Sequence, residues 1–368
     1  MEQGLMDDKP TVARRLDYID GLRGTAILLV ILTHYDMECY KLSPPRWTGM
    51  GLGYVGVHLF LLLSGFCLAW PVLGPRQRPV RWWDYAERRA TRILPPYYVA
   101  LGIFLFLALP MAPGEFFFQA ITHLSMTFNL FQRTADTLNP AFWSLALECQ
   151  LYLFFPLLIY GYRKIGFRGT VTLVLLVEVI FRLWISHKFG NHTDARQHVL
   201  SWSVIGRLFD FTLGNVAALI IGRSYNRPIR SHYIKLLPVV MAICFALGIV
   251  FKAKLSAVSV WTDLAWTIGF FALLIYCSVK DTWAARVMSL RPLVWLGTFS
   301  YSVYLIHNLV IVKLCQRIVE YGGGKRTFFL MLLPSVAITI FVGYIFYLLV
   351  ERPSIRYFEN VRNRRLSP

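Results

Sequence analysis

Ten times along this chain, a run of about 20 mostly apolar residues is followed by a short polar link. An α-helix rising 1.5 Å per residue needs about that length to cross the hydrocarbon of a bilayer. The runs lie near 19–40, 54–74, 93–112, 141–162, 170–187, 203–222, 236–252, 263–279, 293–315 and 328–350. The fifth, seventh and eighth are short, near the lower limit for spanning. Only 16% of the 368 residues are charged, against about 25% in soluble domains, so water is a poor solvent for this chain. The expected fold is an all-α polytopic membrane bundle of about ten transmembrane helices. Pro95, Pro96 and Pro156 fall inside runs and predict kinks packed against neighbours.

The links carry the charge. Of 38 Lys and Arg residues, 24 lie on the side of the N-terminus if the runs alternate, nine lie on the other side, and five lie within runs. This asymmetry puts both termini in the cytoplasm; the expected location is the plasma membrane. It also argues against nucleic acid as a partner of this net +18 chain, because the basic residues are dispersed among links rather than gathered on one polar face. The first 18 residues lack the apolar core and cleavage site of a signal peptide, so the first run is expected to be retained. The expected organisation is a cytoplasmic segment at 1–18, a membrane-embedded domain at 19–350 and a basic cytoplasmic tail at 351–368. The six cysteines are scattered through apolar surroundings and read as small hydrophobes, with no metal site. Residues 113–140 form an outer link with five phenylalanines. That link either lies on the membrane surface or dips inward as a lid.

Ionisable groups within spans are costly and default to functional hypotheses. They are Arg23, His34, Glu148, Arg182, Arg207, Asp210 and His307, with Glu178 less clearly. Arg23 and His34 are eleven residues apart, which is three turns plus about 20°, so they share a helix face about 16 Å apart along the axis. Arg23 either meets an anion near the inner surface or snorkels to the interface. His34 either moves a proton or packs as a neutral hydrogen-bonded ring. Ser64, Glu148 and His307 fall at depths that allow convergence with His34. Arg88, Arg89 and Arg92 enter the third run level with Arg23. A secondary transporter with ten helices fits the same list as an alternative.

Six segments, in order, resemble the acyltransferase-3 family of integral-membrane O-acyltransferases. They are Tyr18 to Gly24 with His34; Phe60 to Phe66 around Ser64; Arg89-Ala90-Thr91-Arg92 with Ile93 and Pro95; Trp143-Ser144-Leu145-Ala146-Leu147-Glu148 with Gln150 and Tyr152; Gly297 to Tyr301 through Tyr304, Leu305 and His307; and Glu351-Arg352-Pro353. His58 and Cys149 depart from the expected pattern.

The resemblance implies transfer of an acyl group, acetyl being the commonest, from acyl-CoA to a hydroxyl of a carbohydrate, a lipid-linked sugar or a macrolide. It implies His34 as general base with Glu148 as catalytic partner, and Arg23, Arg89 and Arg92 on the phosphates of CoA. Ser64, Tyr301, His307 and Trp143 are then expected at the substrate, and an acyl-histidine intermediate is a variant of the scheme. Ser64 is a weaker candidate nucleophile because it sits inside an apolar helix rather than on a strained turn.

Overall fold

The computed structural model describes residues 16–42, 55–109, 111–190, 199–225, 227–254 and 260–366. The expected N-terminal segment up to residue 15, and residues 43–53, 191–198 and 255–259 of the links at 41–53, 188–202 and 253–262, lie outside the described residues.

Every regular element among the described residues is helical. In chain order these are α1 (Asp17–Leu42), α2 (Val55–Leu73), α3 (Trp82–Leu107), α4 (Pro113–Leu124), α5 (Trp143–Lys164), α6 (Gly166–Phe189) and α7 (Leu208–Ser224). There follow α8 (Ser231–Lys254), α9 (Val260–Ser278), α10 (Trp283–Met288), α11 (Arg291–Thr298), α12 (Ser300–Glu320), α13 (Lys325–Phe346) and α14 (Arg352–Leu366). A π-helical turn, Tyr347–Glu351, joins α13 to α14.

Nine helices among the described residues are long and apolar enough to cross a membrane. The tenth expected span corresponds to α1, which has 26 residues but carries Asp17, Asp20, Arg23, Asp36, Glu38 and Lys41. The three runs expected to be short belong to helices of 24, 24 and 19 residues, because the polar residues at their ends continue the helix.

The ninth run departs more. One helix is expected over 293–315, but the chain breaks between α11 and α12. Phe299 leaves helical geometry at φ −124° and buries its ring against Trp295, Tyr344 and Tyr347, at 4.6, 5.1 and 5.9 Å between centroids. The short α11 can then press its backbone onto α1: a Cβ at Gly24 would strike the Leu293 carbonyl, and one at Gly297 would strike Asp20. Close backbone approach at small residues is a common way for helices to associate in lipid. The central pair, α2 and α7, uses the same device, with Gly65 against Phe211 and Gly214 against Leu62. Among the span helices α7 and α9 are the most enclosed, and α8 presents most of its surface outward.

The link at 113–140 is largely ordered. In α4 the residues Phe117, Ile121 and Leu124 are exposed, whereas Gln119, Thr122 and His123 are buried. The helix therefore turns its polar side onto the protein and its apolar side outward, as a helix lying at a lipid interface does. Tyr97 donates to the His123 carbonyl at 3.0 Å, and Asn139 donates to the Leu305 carbonyl at 3.1 Å, which ties the segment down at both ends.

Candidate active site

A cavity of about 850 Å³, counting the open space at its mouth, runs into the bundle. Arg23 reaches it from α1 and Ser64 from α2. Arg89 and Arg92 reach it from the first turns of α3, and Ser144, Glu148 and Tyr152 from α5. Gly297, Tyr301 and Tyr304 come from the broken region, and Glu351 from the π turn. Six of the nine residues expected at the site thus share one space: Arg23, Ser64, Arg89, Arg92, Glu148 and Tyr301.

The electrostatics of this space are lopsided. Three guanidiniums face two carboxylates, and the carboxylates are already engaged by hydroxyl groups. Glu148 accepts from Ser64 Oγ and, at 2.5 Å, from the Tyr152 hydroxyl. Glu351, almost fully buried, accepts from Ser302. No salt bridge joins Arg23, Arg89 or Arg92 to a carboxylate among the described residues. The Nε of Arg89 is buried without a hydrogen-bond partner, and its guanidinium stands 5.9 Å from the Tyr152 ring. A buried donor without a partner is costly, and around this space three guanidiniums outnumber two carboxylates. Tyr301 lines it with its hydroxyl donating to the Ile93 carbonyl at 2.8 Å, which fixes α12 to α3.

His34 and His307 do not line the cavity; they stand together behind it, with ring centroids 4.7 Å apart. His34 Nδ1 lies 2.9 Å from the Val30 carbonyl. A carbonyl can only accept, so Nδ1 carries the proton and Nε2 is left with its lone pair. His307 Nδ1 donates in the same way to the Tyr304 carbonyl at 2.8 Å, and its Nε2 faces His34 Nδ1 at 3.4 Å. Tyr304 separates the pair from the cavity, its ring 5.5 Å from that of His307. Its hydroxyl is tied to Ser144 Oγ at 2.6 Å and to the Ala141 carbonyl. Arg23 and His34, which share a face of α1, thus lie on opposite sides of Tyr304. Trp143 also lies off the cavity and stacks on Trp202 at 5.7 Å. No residue of 113–140 lines the cavity among those described.

The remaining intramembrane charges form a separate cluster. Arg182 reaches Glu178 at 3.0 Å, Asp263 at 2.7 Å and the Gly206 carbonyl. Arg207 lies 3.2 Å from Asp263 and 3.7 Å from Asp210. Each ring nitrogen of His58 faces a carboxylate, Asp210 at 3.1 Å and Asp263 at 3.2 Å. Arg207 also stands 3.0 Å from His58 Nε2, so two guanidiniums and this ring pack together against three carboxylates. The departure from pattern at His58 thus has a structural partner on each side.

Ser144, Tyr152, Tyr304 and Glu351 were not singled out as site residues, although all lie in segments that carry the family resemblance. Outside the spans, burial pushes the His123 imidazole down to about 4. Hydrogen bonds from Gln119 and Arg133 hold the Glu115 carboxyl below its ordinary range. Among the described residues, no group of three or more His, Cys, Asp or Glu side chains is arranged to hold a metal ion.

Residues 16–348 match the family model described as an acyltransferase domain. The chain is 23% identical over 320 residues to the peptidoglycan O-acetyltransferase OatA of Listeria monocytogenes, covering 80% of this chain and 49% of that protein. It is 26% identical to the acyltransferase MdmB of Streptomyces mycarofaciens, covering 93% and 92%. It is 22% identical to the O-acetyltransferase OatA of Staphylococcus aureus, covering 92% and 57%. The chain thus spans about half the length of the two OatA relatives. No solved structure matches.

Proposed function

Because this chain belongs to the acyltransferase family whose model it matches over nearly its whole length, we propose that it is a plasma-membrane O-acyltransferase. It takes an acyl group, acetyl in the simplest case, from acyl-CoA in the cytoplasm and passes it to a hydroxyl of a carbohydrate or glycosylated acceptor. The relatives named for O-acetyl transfer, one of them to peptidoglycan, support the reaction class. The observation that carries the donor is the cavity's set of three guanidiniums without carboxylate partners, one with a buried, unpartnered Nε. Guanidinium forks suit phosphates, with which they form paired, charge-assisted hydrogen bonds.

In this reading Arg23, Arg89 and Arg92 hold the pyrophosphate, and the pantetheine arm of CoA points the thioester along α1 toward Tyr304. The acceptor hydroxyl arrives on the His34 side. Nε2 of His34 takes its proton as the oxygen attacks the thioester carbon. The new C–O bond forms, the C–S bond breaks, and the proton passes from the imidazolium to the departing thiolate. His307 acts as a positioning residue, its ring packed edge-on against that of His34 with centroids 4.7 Å apart, while the Val30 carbonyl holds the Nδ1–H of His34. Glu148, held by Ser64 and Tyr152, fixes the cavity wall beside the arm. The Tyr304 ring must swing aside for donor and base to meet.

The test is purified protein given labelled acetyl-CoA and a saccharide acceptor, with free CoA and acylated product both measured. His34→Ala is expected to lower turnover by about 10²–10⁴-fold, the usual range for a general base, with donor binding retained. Near-normal turnover in that variant removes His34 from the chemistry. Unchanged acetyl-CoA binding in Arg23→Ala removes the phosphate assignment.

A further inference from the structure

A second cavity of about 630 Å³ opens between the start of α3 and α14. Arg89 and Arg92 line both cavities, so the two spaces share a wall. The second adds Arg88 from α3 and Arg362, Phe358 and Glu359 from α14. Arg365 of α14 reaches Glu87 of α3 at 3.2 Å beside this opening.

We propose that this second cavity seats the nucleotide end of the donor, with Arg88 and Arg362 on the phosphate that CoA carries on its ribose. The inference rests on the acyl-CoA reading above and adds a determinant of donor specificity. Arg89 and Arg92 are shared with the first cavity and already serve the pyrophosphate, so the adjoining space adds two guanidiniums, Arg88 and Arg362, against the single carboxylate of Glu359, an excess that calls for further negative charge. Arg89, whose Nε is buried without a hydrogen-bond partner, belongs to the wall that the two spaces share. Phe358 offers a flat apolar face to a planar base, and Glu359 offers an acceptor to an exocyclic amine. An anionic lipid headgroup shares the phosphate chemistry but has no planar base to place on Phe358.

The experiment measures equilibrium binding of CoA and of dephospho-CoA to the full chain, in nanodiscs of zwitterionic lipid and of lipid containing phosphatidylglycerol. Loss of one charge-assisted phosphate contact is commonly worth about tenfold, so CoA is expected to bind at least about tenfold more tightly than dephospho-CoA. Arg362→Ala and Arg88→Ala are each expected to shrink that ratio toward one by weakening CoA alone, and Arg362→Lys is expected to keep part of it. Equal affinity for the two ligands in the unsubstituted protein overturns the proposal and leaves the donor reading standing. So does an Arg362→Ala variant that weakens both ligands by the same factor. A groove that serves lipid instead shows itself if phosphatidylglycerol binding falls in Arg362→Ala while the CoA to dephospho-CoA ratio holds. Failure of the unsubstituted protein to bind CoA at all overturns this proposal and the donor reading together.

Discussion

Two groups of arginines sit inside this bundle, and they are treated in opposite ways. Arg182 and Arg207 are buried among Glu178, Asp210, Asp263 and His58, with nearly every polar atom aimed at an opposite charge or a carbonyl. Arg23, Arg89 and Arg92 look into open space, and the two carboxylates near them are held by Ser64, Tyr152 and Ser302 instead. The first arrangement is closed and can do little but join α2, α6, α7 and α9. The second is left incomplete, and in the proposed reaction the phosphates of the donor complete it. Burial of a charge in a membrane protein is thus a weaker sign of function than burial of a charge whose partners have been given to something else.

The sharpest way to break this contrast is Arg182→Ala. Removing one member of a buried ion network leaves charges uncompensated and costs about 3–5 kcal/mol. The expected result is a large fall in unfolding temperature in detergent; a variant as stable as the original protein would dissolve the distinction.

A buried group with no ionic partner supplies the next test. His123 is fully buried, stacked 4.1 Å from Phe128, and its Nε2 has no partner. Its imidazole is pushed down to about 4, so below about 6.5 the unfolded chain takes a proton that the folded chain refuses. Stability from this site is complete above that pH and declines toward pH 4, by up to about 3 kcal/mol. His123→Phe should flatten that part of a pH scan, and parallel curves for the two proteins would remove His123 as the cause.

Arg89→Ala tests the open side. Donor affinity is expected to fall about 10- to 100-fold, the equivalent of about 1.5–3 kcal/mol for a lost charged contact, with little change in unfolding temperature. A stability loss like that of Arg182→Ala would make Arg89 a structural group. The smallest effect is expected at the surface pair of Glu115 and Arg133, where Glu115→Gln should leave turnover unchanged and shift the unfolding temperature too little to resolve, because exposed pairs contribute little.

Much of this was legible from the chain itself. Helix number follows from run length because lipid demands a nearly fixed span. Arg23, Ser64, Arg89, Arg92, Glu148 and Tyr301 were visible as motif residues and do meet. What could not be read was partnership. Arg182 and Asp263 lie 81 residues apart and meet only through the packing of separate helices, so Arg182 and Arg23 looked alike as intramembrane cations. The break at Phe299 was also hidden, since an apolar run does not reveal that one of its rings must leave the helix to pack on Tyr344 and Tyr347. Nor does spacing along α1 reveal Tyr304, which arrives from α12 to stand between the cavity and His34.

The π turn at Tyr347–Glu351 has a consequence for how the mouth of the cavity is tuned. A turn that bonds i to i+5 holds one residue more than its α-helical counterpart, so it sets the angular phase of everything downstream. Deleting one residue there would restore the ordinary winding and rotate α14 by about 100°, carrying Phe358 and Arg362 away from α3. Donor discrimination would then be altered by a change in helical phase at a turn that need not itself touch the nucleotide.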